Sequence, residues 1–514
     1  MKKRLLTSFF IVVCLNVFCQ VQQNINFSFQ APQYFDLSFG TNGVALYSAP
    51  ANTDGIRGIA TQSDGKIVAI GNKNNTHFYV MRLNVDGSLD STFGQNGFIE
   101  DDLIGESLGT DIEVDHLDRI IITGNVYHGF GSVDLFVVRT LPNGTYDNTF
   151  GLNGVFIAYT AVLPAYKHSG GLEIRFLNDG SIIIGGVFSF QSNDFDVAVY
   201  KITPNGQFDQ SFGVNGYVYY QVSGQNSLLD MFIQDDGKIL FTGIAFNPVL
   251  IPVIRLNTDG SLDNTFGNNG MALHDFTTNC QTGAAVRQLA NKKILVAGTM
   301  GPCSQKDFFI YRLDENGLLD PSFGNNGFAF FDNGTSEGVN SLQLLPNGDI
   351  LLLGGDSNAD FLLVCYDSSG ILKTNFGNSG KLIINLYGYN DGMKSTYMQS
   401  DGKILITGLS YNMINNMITS YLPFVRLNSF YSPLNELAEI DSHFAISPNP
   451  TSDQLTITLR ENRPNTLCSI IDNLGKEVLQ FNVSEGDNTL DVNHLDKGIY
   501  IVKIDSRSVK FVKN

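Results

Sequence analysis

The sequence is short of positive charge. Its 32 lysines and arginines stand against 50 aspartates and glutamates, which gives a formal net charge of −18 over 514 residues. Nucleic-acid phosphates are bound by basic surfaces, so this composition argues against a nucleic-acid partner. It disfavours attachment to an anionic membrane surface for the same reason. The acidic balance indicates a soluble, extracellular protein.

Long apolar runs and cysteines are also scarce. One apolar run, residues 5–18, follows the basic residues 2–4 and is too short to span a bilayer comfortably. We therefore predict a signal peptide over residues 1–19, cleaved after Cys19. A lipid anchor at Cys19 is the alternative, which the bulky Phe18 before it disfavours. No later run is long and apolar enough to span a membrane, and the four cysteines left of the original six are too few for a disulfide scaffold.

Recognisable catalytic and metal-binding motifs are absent from the sequence. The seven histidines are scattered, with none of the spacings that zinc sites use, and no G-x-S-x-G, P-loop or paired-carboxylate motif stands out. The stretch from Asn84 to Asp90 resembles an oxygen-rich calcium loop. Because it recurs at a predicted hairpin, where Asp and Gly favour tight turns, we interpret it as a turn, with calcium as the alternative. We predict no catalytic residue, no metal site and no cofactor.

The sequence is rich in repetition. The phrase xDxxFGxxG occurs in similar form seven times, about 56 residues apart. A DGKI-like phrase follows each copy and opens a short apolar run that ends at a glycine, a pattern typical of a buried strand. Four short strands per repeat are typical of a propeller blade, whereas a β-helix would need coils about half as long. We therefore predict an all-β fold with a seven-bladed β-propeller over residues 20–428, followed by a smaller β domain. The phenylalanines of the repeated phrase are Phe39, Phe93, Phe150, Phe212, Phe266, Phe323 and Phe376.

The consensus of these copies, DGKI…G…RLNxDGSLDxTFGxxG, resembles the delta-60 repeat of large bacterial surface and secreted proteins. The resemblance covers about three quarters of the chain. It implies a repeat protein that acts outside the cell. It carries no defined activity.

A paired substitution predicts how the ring closes. The repeats place Arg or Lys eight residues before the Asp of xDxxFG, and the repeat that has Cys365 instead of the base has Lys373 instead of the acid. We predict an ion pair across the hairpin that joins the last strand of one repeat to the first strand of the next. The two remaining charges, Asp36 and Arg426, should then pair, with the N-terminal strand completing the last blade. The alternative is that they are two unrelated, solvated charges.

The lengths of the connections indicate where a ligand would bind. From the basic residue to the Phe the interval is constant, whereas the interval before it varies from 11 to 18 residues. Alternating strand direction puts the fixed turns on one face of the disc and the variable connections on the other, and variable loops on a rigid scaffold often carry binding sites. Cys280 and Cys303 both fall on this variable face, so a disulfide between them is geometrically allowed. Aromatic residues there would suit a sugar ligand, the alternative being that they pack between blades; they are Tyr127, His128, Phe130, Phe188, Phe190, Tyr387, Tyr389 and Tyr411.

A second unit follows a predicted linker, residues 429–442. Residues 443–514 alternate strands with Asn, Gly and Asp turns, which predicts a small β-sandwich. The unit resembles the C-terminal sorting domain of type IX secretion substrates in Bacteroidetes. The resemblance implies two partners, the type IX translocon and its sorting peptidase, and a final location that is secreted or on the outer face of the outer membrane. The matching residues are Ser447, Pro448, Asn449, Pro450, Gly498, Tyr500 and Lys510.

Together these features predict a non-catalytic surface or secreted protein that binds a glycan or a matrix component. One alternative is an extracellular polysaccharide lyase or hydrolase with its site over the propeller channel. Another is a structural component of the cell envelope. Convergent carboxylates, or Tyr or His with Arg, over the channel mouth would favour the enzyme. An aromatic strip without such a cluster would favour binding.

Overall fold

The chain was examined in a computed structural model. It divides into two compact units, Met1–Phe430 and Tyr431–Asn514, and the boundary falls inside the segment predicted as a linker. The predicted signal peptide lies outside the described residues. The structure describes residues 32–50, 52–100, 105–128, 132–158, 168–189, 195–222, 224, 226–276, 280–358, 360–386, 391–414, 417–430, 444–447, 451, 453–459, 466–472, 477–495, 498–504 and 507–513.

The described part of the first unit consists of one 3-10 helix, Pro32–Tyr34, and seven groups of four antiparallel strands. These groups are called blades 1 to 7, in the chain order of their innermost strands. A single parallel bridge, between His168 and Val133, links blade 3 to blade 2. The innermost strands are β2 (Ile56–Thr61), β6 (Ser107–Val114), β10 (His168–Phe176), β14 (Asn226–Ile233), β18 (Cys280–Gln288), β22 (Glu337–Leu344) and β26 (Asp391–Met398). Each contacts the next, and β26 contacts β2, so these strands form a closed ring.

The second strand of each blade comes from a DGKI-like run. These strands are β3 (Ile67–Lys73), β7 (Ile120–His128), β11 (Ile182–Ser189), β15 (Ile239–Ala245), β19 (Ile294–Gly301), β23 (Ile350–Asp356) and β27 (Ile404–Ile414). The first four residues of β3 are fully buried, because neighbouring blades cover both faces of the sheet. A strand buried on both faces needs a continuous apolar run, which the repeat supplies.

The two outer strands of each blade flank the FG phrase. The third strands are β4 (His77–Leu83), β8 (Ser132–Thr140), β12 (Asp196–Ile202), β16 (Ile251–Leu256), β20 (Asp307–Leu313), β24 (Phe361–Tyr366) and β28 (Met417–Leu427). The outermost strands are β5 (Phe98–Glu100), β9 (Val155–Ile157), β13 (Tyr217–Tyr220), β17 (Met271–His274), β21 (Phe328–Phe331), β25 (Lys381–Ile384) and, for blade 7, β1 (Val44–Ser48). Each blade therefore takes its fourth strand from the next sequence repeat.

The N-terminal strand closes the ring as the sequence predicted. Strand β1 pairs with β28 in blade 7, with Val44 opposite Val425. Arg426 Nε lies 2.8 Å from Asp36 Oδ2, and the two side chains are only 3% and 9% exposed. The guanidinium also stacks over the ring of Phe39, 4.5 Å from its centroid. The closing contact is thus a buried ion pair.

The FG phrase fastens each blade to the next one, as blade 1 illustrates. Arg82 Nε donates to Asp90 Oδ2 at 2.8 Å across the hairpin, and its guanidinium stacks over Phe93 at 4.5 Å. The amide of Gly94 then donates to the carbonyl of Asn143 in the turn of blade 2, at 3.2 Å. The phrase is a structural device that recurs around the ring.

Blade 6, where the predicted pair is missing, carries the same attraction with the charges exchanged. Its Lys373 pairs with Asp349. Asp349 occupies the position where the DGKI phrase of other blades has a lysine, such as Lys293, which pairs with Asp320 at 2.7 Å. The hairpin of blade 6 therefore keeps an ion pair between the two positions that Lys293 and Asp320 occupy in blade 5, which the sequence did not predict.

The second unit is built from two sheets that share one hydrophobic core. Its strands are β29 (Phe444–Ser447), β30 (Gln454–Leu459), β31 (Thr466–Asp472), β32 (Glu477–Val483), β33 (Gly486–Asp491), β34 (Gly498–Ile504) and β35 (Arg507–Lys513). One sheet has the order β29-β30-β33 and the other β32-β31-β34-β35. Leu455 and Ile457 of the first sheet pack with Ile470 and Val502 of the second. Among the described residues of the whole chain, no helix has the length and apolar character to cross a membrane.

Candidate functional site

The innermost strands enclose a cavity of about 520 Å³ along the axis of the ring. Each of these strands contains a β-bulge at the same point, for example between Gly109 and Asp111 in blade 2 and between Gly171 and Glu173 in blade 3. Bulges bend a strand and redirect its side chains. The residue after the bulge is acidic in blades 2, 3 and 4, where it is Asp111, Glu173 and Asp230.

Arg175 lies at the centre of a charged cluster in this channel. Its Nη2 atom is 3.0 Å from Glu173 Oε2 and 3.1 Å from Asp230 Oδ1. Its Nη1 atom is 3.7 Å from Asp111 Oδ2 and 3.6 Å from Glu113 Oε1. One guanidinium therefore holds four carboxylates from three consecutive blades together.

A second arginine extends this cluster into blade 5. Arg287 pairs with the far oxygen of Asp230, which also accepts a hydrogen bond from the amide of Val286 at 2.8 Å. Asp111 spans blades in the same way, because its Oδ2 accepts from the amide of Ile174 at 2.8 Å. We call this group the acid–arginine cluster; its members are Asp111, Glu113, Glu173, Arg175, Asp230 and Arg287.

Burial raises the pKa of three carboxyl groups in this cluster, and neighbouring carboxylates add to the effect while Arg175 opposes it. The pKa of Asp111 and that of Glu113 rise to about 7, and the pKa of Glu173 rises to about 8. For Arg175, burial works against the charge, but the surrounding carboxylates outweigh it and raise the pKa. Burial therefore opposes full ionisation of these carboxyl groups, and Arg175 offsets that opposition only in part.

The opposite wall of the channel is mostly uncharged. Thr396 Oγ1 donates to Ser341 Oγ at 2.8 Å, and Gln343 Nε2 donates to Thr396 Oγ1 at 3.2 Å. Tyr397 lies on the same innermost strand, and Phe232 lies in blade 4 beside the acid–arginine cluster. The cavity thus joins charged, amide, hydroxyl and aromatic groups in one space.

The predicted ligand face is only partly described. Tyr127 and Tyr411 are 40% and 37% exposed, as a surface platform requires. His128 places Nε2 3.0 Å from Asp134 Oδ2. Phe188 contradicts the prediction, because it is fully buried and stacks on Tyr219 with 4.8 Å between ring centroids. Packing between elements, the alternative left open for these aromatics, is the correct interpretation for Phe188. Phe130, Phe190, Tyr387 and Tyr389 lie outside the described residues.

The stretch that resembles a calcium loop is a turn. Asp86 Oδ1 accepts hydrogen bonds from the amide and the hydroxyl of Ser88 at 2.9 and 2.7 Å. Asp90 Oδ1 is bonded to Thr92 and its Oδ2 to Arg82. These carboxylate oxygens accept hydrogen bonds from the protein's own donors, as in a turn and not as in a calcium loop.

Three of the predicted sorting residues that the structure describes lie in the last two strands. Gly498 and Tyr500 are in β34 and Lys510 is in β35. The ring of Tyr500 stacks on Phe511 with centroids 5.5 Å apart. Ser447 ends β29. Pro448, Asn449 and Pro450 lie outside the described residues.

Cys280 and Cys303 form a disulfide in the structure, with Cα atoms 5.1 Å apart and a sequence separation of 23. Replacing Cys303 by serine should lower the free energy of unfolding by roughly 3 kcal/mol, because the bridge restricts the unfolded chain. Denaturant unfolding measures this, and reduction should raise the intact mass by two hydrogens. The double variant Cys280→Ser/Cys303→Ser is the matched control and should lose no more than either single variant. A single variant as stable as the wild type would contradict the prediction.

Sequence reasoning missed the acid–arginine cluster, although the repeats contain a signal. The segments before the DGKI phrase read DIEV, EIRF, DMFI and AVRQ in blades 2 to 5. The equivalent segment reads SLQL in blade 6 and STYM in blade 7. Charged residues at two alternating positions of this strand, spread over four consecutive blades, would have indicated a common site, because innermost strands of neighbouring blades lie side by side.

The closed ring of four-stranded blades with a small β domain after it defines the class of protein: a β-propeller with a C-terminal accessory domain. Residues 445–514 match the secretion system C-terminal sorting domain family. Residues 62–93, 118–150, 177–212, 234–266 and 289–323 match the DUF5122 beta-propeller, a domain of unknown function. The chain therefore contains a propeller region that matches DUF5122 in five segments and a C-terminal region that matches a type IX sorting domain, which indicates export and a location at the cell surface or in the medium.

Solved structures with a similar course of the chain share little sequence with it. A gluconolactonase from Xanthomonas campestris is 11% identical, with a TM-score of 0.34, over 79% of this chain and 99% of that one. A PL25 ulvan lyase is 10% identical, with a TM-score of 0.37, over 70% and 90%. A glucose dehydrogenase is 8% identical, with a TM-score of 0.38, over 74% and 98%. Similarity at this level carries no argument about function. No curated protein matches the sequence.

Proposed function

We propose that this exported propeller binds a glycan in its central channel without transforming it. The observation that carries the proposal is the lining of the cavity, which combines the acid–arginine cluster with Gln343, Phe232 and Tyr397. Carboxyl, guanidinium and amide groups donate and accept hydrogen bonds, as sugar hydroxyls require. Aromatic rings offer an apolar body against which the apolar face of a sugar can pack. A volume of about 520 Å³ is within the usual range for small-molecule sites.

The setting that we propose is extracellular. The sorting domain would engage the type IX translocon and its sorting peptidase, and the mature propeller would then be released or held on the outer face of the outer membrane. In that setting the natural ligands are surface or matrix polysaccharides. The channel would take a chain end or a short oligosaccharide.

A hydrolase or lyase that uses the same channel is the second candidate, and one specific observation favours it. The pKa values of Asp111, Glu113 and Glu173 rise to about 7, 7 and 8. A carboxylic acid that keeps its proton near neutral pH can act as a general acid towards a glycosidic oxygen. Convergent carboxylates were one of the two patterns expected of an enzyme. Binding is the preferred proposal because both arginines of the cluster already pair with its carboxylates.

A glycan array with the full chain tests the proposal, and two tyrosines of blade 7 locate the site. We expect Tyr397→Ala, in the channel, to weaken binding of the captured glycan at least about tenfold. Tyr411→Ala, on the variable face, should leave the affinity within about twofold of the wild type. Gln343→Ala is a second channel variant in case Tyr397→Ala folds poorly. Calorimetry measures the affinities.

Each outcome of this experiment separates the candidates. Loss of binding in Tyr411→Ala alone would move the site to the variable face. New reducing ends or unsaturated products from the bound glycan would establish the enzyme. If the protein neither binds nor cleaves any glycan, the structural component of the cell envelope is the candidate that remains.

A further inference from the structure

A second group of carboxylates lies away from the channel, at the junction of blades 5 and 6. Asp307 is the first residue of β20, Asp332 directly follows β21, and Glu337 is the first residue of β22. One carboxylate oxygen of each lies within 4.8 Å of those of the other two. We call these three residues the acidic corner. By strand direction they lie on the variable face, opposite the FG phrases.

The most buried member of the acidic corner has an oxygen without a partner. Glu337 is only 2% exposed. Its Oε1 atom accepts a hydrogen bond from Thr335 Oγ1 at 2.7 Å, but Oε2 is buried and makes no hydrogen bond. Asp307 Oδ1 is buried and unbonded in the same way. Both atoms belong to carboxylates of the acidic corner.

No positive side chain balances these carboxylates among the residues that the structure describes. The ion pairs within 4.0 Å found there include none with Asp307, Asp332 or Glu337. The channel differs in this respect, because Arg175 and Arg287 offset its carboxylates. A buried carboxylate, that of Glu337, beside the half-buried Asp307 and the exposed Asp332 is costly without a counter-ion.

We propose that Asp307, Asp332 and Glu337 bind a calcium ion. All three ligands are hard carboxylate oxygens, which calcium and magnesium prefer. The corner contains no histidine or cysteine, so zinc and softer metals lack their usual ligands. Asp332 belongs to the exposed connection 332–336, which leaves room for water and carbonyl oxygens to complete six to eight ligands. Calcium accepts such an irregular shell, whereas magnesium demands a near-ideal octahedron.

The proposed ion would join two blades on the face where the FG phrases do not act. Asp307 and Asp332 belong to blade 5, and Glu337 belongs to the innermost strand of blade 6. The amide of Glu337 donates a hydrogen bond to the carbonyl of Lys306 in blade 5 at 2.6 Å. The Cys280–Cys303 disulfide fixes the connection just before Asp307. Extracellular calcium sites often bind at 10⁻⁴ to 10⁻³ M, which suits a protein that meets calcium only after export.

Calorimetric titration of the chelator-treated full chain with calcium chloride tests this proposal. We expect saturable binding by the wild type and at least about a tenfold rise in Kd for Glu337→Gln. Asp332→Asn, at an exposed position, should give the same loss without endangering the fold. Glu100→Gln is the matched control: Glu100 is exposed and pairs with Lys73 at 3.0 Å, so this variant should bind as the wild type does.

Thermal unfolding distinguishes a metal site from an ordinary structural contact. In excess chelator, Glu337→Gln should unfold at the same temperature as the wild type or higher, because it removes one of three repelling charges. With millimolar calcium only the wild type and Glu100→Gln should gain stability. The proposal is overturned by a wild type that binds no calcium at millimolar concentration. It is equally overturned by Glu337→Gln and Asp332→Asn variants that bind calcium as tightly as the wild type.

Discussion

Replacing Arg426 by methionine should lower the free energy of unfolding of the propeller by about 3 kcal/mol, because breaking a buried ion pair leaves a charge without its partner. Arg426 Nε lies 2.8 Å from Asp36 Oδ2. The estimate stands at the lower end of the range for buried pairs since Lys403 Nζ, 3.2 Å from Asp36, still faces the carboxylate. The variant also loses the stacking of the guanidinium on Phe39.

The pH dependence of this contribution follows from Asp36. Burial alone would raise its pKa, but hydrogen bonds from Ser38 and the charge of Arg426 outweigh burial and lower the pKa from 3.8 to about 2. Since the folded pKa lies below the unfolded one, the stabilisation is fully present above about pH 4. It is lost as the pH falls from about 4 towards 2. The difference between the wild type and Arg426→Met should shrink over that interval.

Arg82→Met is the matched control for ring closure. It breaks the equivalent pair with Asp90, but within blade 1, whose strands are continuous in sequence. Both variants should lose similar stability in denaturant unfolding. Only Arg426→Met should speed hydrogen exchange of β1, because that strand is attached to blade 7 by pairing alone. A loss below about 1 kcal/mol, or unchanged exchange in β1, would contradict a stabilising role for the closing pair.

Replacing Arg175 by methionine should cost about 3–5 kcal/mol at pH 8.5, because four carboxylates would be left with one remaining guanidinium. The cost should fall at pH 5.5, since protons can then neutralise carboxyl groups that have lost their counter-ion. The free energy of unfolding of the wild type should also be higher at pH 5.5 than at pH 8.5, but by a smaller amount. The folded pKa values of Asp111, Glu113 and Glu173 lie near 7, 7 and 8, above their unfolded values. Their contribution is therefore fully present at about pH 4 and lost as the pH rises through 7 to 8.

Arg57→Met provides the control for Arg175→Met. Arg57 lines the same cavity, but it pairs with Asp54 in an exposed ion pair and should contribute less than about 1 kcal/mol. Unfolding by denaturant at both pH values measures the two variants. Equal small losses for Arg57→Met and Arg175→Met would mean that channel water screens the acid–arginine cluster as it screens the surface.

The repeats made the propeller predictable, and the paired charges made its closure predictable. Asp36 and Arg426 stood out because each is one half of a pair that other repeats contain complete. Blade 6 was harder to predict, because Lys373 pairs with Asp349 in the DGKI-like phrase and not with the residue eight positions before it, Cys365. Its charge exchange preserves the attraction while changing both residues.

The acid–arginine cluster could not be derived from any one repeat. Its residues come from four consecutive blades, so Asp111 and Arg287 are 176 residues apart in sequence and join one cluster only when the innermost strands of those blades pack side by side. The repeated phrases consist of residues that the blades have in common, whereas the residues of the acid–arginine cluster differ from one blade to the next. Phe188 shows the converse: it stands near a variable connection in sequence, yet its strand position directs it into the core.

The pairing of β1 with β28 has a consequence for the order of events during export. The first described strand of the chain is the last to find its place, because its partner ends at Leu427. Until that partner strand is available, the ring stays open and β1 has no strand to pair with. A chain interrupted before its final repeat would also leave blade 6 without a neighbour and an unpaired strand edge, which invites aggregation. The ring can therefore close only when the whole propeller, from β1 to β28, is present.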